Sequence, residues 1–152
     1  MTFDTAEVLW TLNLLKPEIL PNAAAEWLVE GFDSESLVLL AGLTFAELDQ
    51  ARILFERALR ELGRPAMSRK DAILRYTRLV SIEILRGEIA PYDGAKKIWH
   101  ATIGLDSPLH EVDTFIYAAS EYEDRFEDQD FFALEIIKEA RRWISETKQP
   151  PA

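Results

Sequence analysis

The sequence predicts an all-α fold, a single-domain bundle of about seven to eight helices, on three observations. No stretch alternates apolar and polar residues, or gathers Val, Ile and Thr, as a strand would. Apolar residues instead recur at helical spacing through most of the chain. Glycines and capping residues fall where that periodicity starts and stops, so pattern and punctuation agree. The 152 residues suit one domain, taken as 1–147 with a frayed tail at 148–152.

Taken in order, residues 5–15 (TAEVLWTLNLL) read as the first helix with Thr5 as its cap, and Pro17 and Pro21 break the pattern behind it. Asn22 caps the second, AAAEWLVE, and Gly31 stops it as a left-handed C-terminal residue. Ser34 starts the short apolar ESLVLLA, which Gly42 closes. Thr44 and Glu47 have the T-x-x-E spacing of a capping box. The helix they head turns Leu48, Ala51, Phe55, Ala58, Leu59 and Leu62 to one face and ends at Gly63.

Ser68 caps the next helix, with Asp71 where a carboxylate suits the positive helix end. That helix, near 69–86, is expected to be central. Ile73, Thr77, Val80 and Ile84 form a stripe; Leu74, Ser81 and Leu85 widen it on one side and Tyr76 on the other. Leu79 and Ile82 extend the apolar surface further, and only Arg75, Arg78 and Arg86 make a plainly wet edge. Gly87 stops the helix, and Pro91 opens a short one ending near Thr102. Residues 109–122 follow, with Val112, Phe115, Ile116, Ala119 and Tyr122 inward. Asp128 or Asp130 caps the last helix, whose inner face is Phe132, Ile136, Ala140, Trp143 and Ile144.

Composition excludes several chemistries. Without cysteine there is no disulfide, zinc thiolate or thiol nucleophile. No apolar run approaches ~20 residues, so no membrane span is expected. The opening MTFDTAEVLW lacks a basic region followed by an apolar one, so no secretory signal is expected and the cytoplasm is the default location. A net charge of −10 argues against a nucleic-acid partner. No G-x-S-x-G, phosphate loop, H-E-x-x-H or calcium loop occurs, so neither cofactor nor metal is expected.

Charge is unevenly placed. Residues 52–86 hold nine basic and four acidic side chains, and residues 106–139 hold two basic and eleven acidic. Within the acidic segment, Asp113, Tyr117 and Glu121 follow one another at four-residue steps on the outer side of a helix, and Glu123, Asp124 and Glu127 continue beyond it. These six, with Trp99 at the end of KKIWH, are the candidate contact residues for a basic protein partner. The competing reading is an enzyme that uses a part-buried Glu83 with Tyr92, Asp93 or His100. The binding reading is the first choice, and no catalytic residue is assigned.

AEWLVEGFDSESLVLLAGL (25–43) and GEIAPYDGAKKIW (87–99) carry the only family-like phrasing. In them the chain resembles small all-helical bacterial proteins of uncharacterised function, and in general kind the acidic immunity proteins of bacterial toxin systems. The resemblance covers about a fifth of the chain and implies a helical binding protein; it transfers no site residue.

Overall fold

The computed structural model describes residues 1–146; the tail expected to fray at 148–152 lies outside them. The described residues form eight α-helices and no strand, in keeping with the all-α class. These are α1 (Phe3–Thr11), α2 (Leu20–Glu30), α3 (Glu35–Ala41), α4 (Ala51–Glu61), α5 (Arg69–Leu85), α6 (Pro91–Thr102), α7 (Asp113–Asp124) and α8 (Gln129–Glu146). Among the described residues no helix is long and apolar enough to cross a membrane. The described residues fall into two compact units, one of Met1–Met67 and one that begins at Ser68.

In the first unit, Phe3, Trp27 and Phe55 meet with ring centroids 5.0 to 5.9 Å apart. Trp27 is fully buried and donates its indole N–H to the carbonyl of Met1 at 3.0 Å. Leu20, Ala24, Leu37, Leu40 and Ala58 fill the space around these rings. Thr2, not Thr5, caps α1, its hydroxyl accepting from the Thr5 N–H at 3.1 Å. That start lets Phe3 reach the core. The helix then stops at Thr11, because Asn13 turns left-handed at φ 58°, a conformation that asparagine tolerates. α2 begins at Leu20, two residues before the expected cap Asn22. Pro21 sits in its first turn, where a missing N–H breaks no helical bond. The Thr44–Glu47 box forms, but it heads a 3₁₀ turn, Phe45–Gln50, and α4 starts only at Ala51. Gly42 closes α3 with an ordinary φ of −91°.

In the second unit, the Ser68 hydroxyl accepts from the Asp71 N–H at 3.1 Å and α5 runs to Leu85, with Gly87 at φ 72° behind it. Ile73, Thr77, Val80, Ser81 and Ile84 are buried as one stripe. Leu79 and Ile82 are only half-buried and Leu85 is exposed, so α5 is not enclosed around most of its circumference as its apolar content suggested. It packs on α6 and α8, and α7 packs on the same two helices. Gly94 lets α6 approach α5 closely at Val80 and Ile84. α7 starts at Asp113, after a 3₁₀ turn at His110–Val112, later than the expected Leu109. α8 buries Phe132, Ile136, Ala140 and Trp143 as expected. Trp27 and Trp143 are buried, whereas Trp10 and Trp99 are half-buried.

Candidate protein-binding surface

α7 turns Phe115, Ala118 and Ala119 into the core, which fixes what it shows to solvent. Asp113 and Tyr117 point outward, and Tyr117 is 59% exposed. Glu121, the next residue on that ridge, is half-buried, with a carboxylate oxygen 2.7 Å from Nε of Arg125. Asp124 and Glu127 are exposed beyond it.

Glu123 belongs elsewhere. Its carboxylate accepts a hydrogen bond from the Tyr92 hydroxyl of α6 and lies 3.5 Å from Nζ of Lys96. The Tyr92 ring stacks on Tyr122, centroids 4.4 Å apart and planes 11° from parallel, and the Lys96 ammonium lies 5.5 Å from the Tyr92 centroid. The Tyr92 hydrogen bond holds the Glu123 carboxyl below the usual carboxylate range, and the same bond pushes the Tyr92 hydroxyl up. Lys96 is also raised, chiefly by its hydrogen bond with Tyr92. Trp99 stands three residues beyond Lys96 on the same stripe of α6. Glu123 is thus tied to α6 through Tyr92 and Lys96, and Trp99 stands on that same helix.

Three apolar residues absent from the sequence-derived set complete the surface. Phe126, on the 3₁₀ turn Phe126–Asp128 that joins α7 to α8, is 83% exposed, and Phe131 and Leu134 on α8 are each 58% exposed. Tyr117 and Phe131 both meet the buried ring of Phe132 edge-on, at 6.3 and 5.1 Å. Flanking Phe126 and Phe131 along the chain, Asp124, Glu127, Asp128 and Asp130 are exposed, and none of the four has an ion pair among the described residues. Two cations of α8 are engaged, while Arg141, seven residues past Leu134, is exposed with no ion pair among the described residues. Lys138 pairs with Glu135 at 3.0 Å, and Arg142 pairs with Glu139 and, at 2.8 Å, with Glu146. Glu139 raises the guanidinium pKa of Arg142 further.

Glu83, the acid of the catalytic alternative, lies half-buried on α5. No hydrogen bond or ion pair among the described residues joins Glu83 to Tyr92, Asp93 or His100, and the Tyr92 hydroxyl is taken by Glu123. Burial, with the Glu83 charge second, pushes the Tyr76 hydroxyl up, so Glu83 lies near a tyrosine of its own helix. His110 holds Asp113 at 2.9 Å on the surface. Among the described residues no three His, Asp or Glu converge as a metal site would require. In the first unit a cavity of about 570 Å³ is lined by Glu7, Trp10, Glu56, Arg60, Arg64 and Met67 among others. Its charges face one another: Arg64 pairs with Asp4 at 2.8 Å and Glu7 at 3.4 Å, and Arg60 with Glu56 at 3.3 Å. No family model, curated protein or solved structure matches the chain significantly.

Proposed function

We propose that this chain is a non-catalytic protein-binding module, and that the end of the α7–α8 pair is its contact surface for a basic partner, as in an immunity-type protein. The observation that carries the reading is the coincidence of Tyr117, Phe126, Phe131 and Leu134, all exposed, with four carboxylates that have no ion pair among the described residues. The two groups have different work. Fully burying a large apolar side chain contributes about 1.5–3 kcal/mol, whereas an exposed ion pair contributes about 0.2–1 kcal/mol. The aromatics therefore supply affinity, and the acids supply partner choice and encounter rate.

The test is capture of a partner from the source cell, followed by association kinetics across a salt series. Asp124→Lys with Glu127→Lys is the informative charge reversal, because neither residue holds an ion pair among the described residues; reversal at Glu121 or Glu123 would also break contacts to Arg125, Tyr92 and Lys96. The association rate of the reversal variant should fall several-fold at low salt and converge on wild type as screening shortens to ~3 Å near 1 M. Tyr117→Ala should raise the dissociation rate at every salt concentration. Unchanged rates in both variants remove the surface from the proposal.

A further inference from the structure

We infer that the element received by this surface is a basic amphipathic helix, lying along the outer side of α7 and α8. The inference rests on the binding reading above and adds the shape and chemistry of the occupant. The described residues offer no strand, and hence no sheet edge on which an extended peptide could add. What they offer is two packed helices with an apolar ridge on their solvent side. Phe131 and Leu134 stand one turn apart on α8, and Tyr117 reaches from α7 to the ring of Phe132 beside them. Ridges of that spacing accept a third helix that presents apolar residues at i, i+3, i+4 and i+7.

Charge selects the helix. At the Phe126 end Asp124, Glu127, Asp128 and Asp130 have no ion pair among the described residues; further along α8 Lys138 and Arg142 are neutralised by their own helix, and the exposed Arg141 marks the end of the acidic stretch, about three turns from Asp130. Lysine or arginine flanking the partner's apolar stripe can lay its aliphatic stem on Phe126 and Phe131 and place its head among these acids. An acidic helix would be repelled, and so would an anionic lipid surface.

The probe is an 18-residue fluorescein-labelled peptide of leucine and lysine, with leucines at the spacing above, beside a scramble of identical composition and a version with glutamate for lysine. Binding is read by anisotropy and helix formation by circular dichroism, and the protein alone is sedimented to give its oligomeric state. The amphipathic peptide should bind and gain helix. The scramble should bind at least tenfold more weakly, and the glutamate peptide should not bind. Phe131→Ala with Leu134→Ala should weaken binding at least tenfold while leaving the melting curve close to wild type. Equal binding of the peptide and its scramble overturns the helix inference, and the binding surface then survives only if the double variant weakens both. Equal binding to wild type and double variant overturns both. A dimer of the protein alone, dissociated by the double variant, also overturns the inference, because the occupant would then be a second copy.

Discussion

Replacing Gly94 by Ala tests the contact between α5 and α6 in both sign and size. In the interior of a helix glycine is about 1 kcal/mol worse than alanine, so local propensity alone says that Gly94→Ala stabilises. The packing says the opposite. A Cβ at residue 94 would lie 2.6 Å from Cδ1 and 2.7 Å from Cγ1 of Ile84, and 3.2 Å from Cγ1 of Val80. Carbon atoms pack best at about 3.5–4.0 Å, so two contacts are roughly 1 Å too short. Ile84 cannot step aside easily. It is 5% exposed, and a β-branched side chain is stiff at χ1, so Cγ1 moves only with a change of rotamer or a shift of the helix. Overpacking costs about 1–3 kcal/mol, and two such overlaps put this site toward the upper end. Less the gain of about 1 kcal/mol in propensity, Gly94→Ala should destabilise by about 1–2 kcal/mol.

A double-mutant cycle separates the two effects. Ile84→Ala removes both clashing atoms and alone should cost about 2–5 kcal/mol. In that background the new methyl enters vacated space, so adding Gly94→Ala should restore about 1 kcal/mol. The sign of Gly94→Ala thus reverses between backgrounds, giving a coupling of about 2–3 kcal/mol, measurable by urea unfolding with unchanged m-values. Stabilisation of the wild type by Gly94→Ala, or simple additivity of the pair, would refute the close approach of α6 to α5.

Three further outcomes follow from the same structure. Val80→Ala should cost about 2–3 kcal/mol because Val80 is fully buried, and Leu79→Ala should cost less than a buried leucine would because Leu79 is half-buried; chemical denaturation of both variants ranks them. Gly87→Ala should destabilise by about 1 kcal/mol through the backbone alone: its φ is 72°, and an added Cβ meets nothing within 4 Å. Glu61 accepts from the Ser36 N–H at 3.0 Å and the Ser34 hydroxyl at 3.4 Å, and the Ser36 bond holds its carboxyl below the usual range. A depressed folded-state pKa stabilises above the unfolded carboxylate range and is lost as pH falls through the folded value. Glu61→Gln should therefore lower the melting temperature at neutral pH and flatten its acid limb, and parallel pH curves for the two proteins would count against the link between α4 and α3.

What was legible in the sequence was whatever is decided within a turn of the residue concerned. Ser68 with Asp71, Gly63 and Gly87 at positive φ, Pro91 in a first turn and the inner face of α8 each depend on neighbours three or four positions away. The errors have longer-range causes. Thr2 and Thr5 are both good caps, and the choice goes to Thr2 because Phe3 is then helical and packed on Trp27 and Phe55, which are distant in sequence. Pro21 is equally a breaker and a first-turn residue, and the second role prevails. The apolar circumference of α5 overstated its burial, because side-chain content says which faces can be covered and not how many neighbours arrive.

The contact surface follows the same division. Glu121 and Glu123 are two residues apart and about 200° apart around a helix, so a sum of charge over the segment merges side chains that point to different neighbours. One meets Arg125, four residues away and within local reach; the other meets Tyr92, 31 residues away, on another helix. Counting six acids in 121–130 therefore overstates the charge open to a partner: the two nearest the helix core are compensated, and Asp124, Glu127, Asp128 and Asp130 remain. The aromatic half was within local reach. Once Phe132, Ile136, Ala140 and Trp143 are placed inside, Phe131 and Leu134 lie about 100° and 160° round from Phe132 and must face outward. Phe131 keeps an edge contact with the ring of Phe132 and is otherwise open to solvent, as are Phe126, Leu134 and Tyr117, and a partner of the kind proposed would cover them.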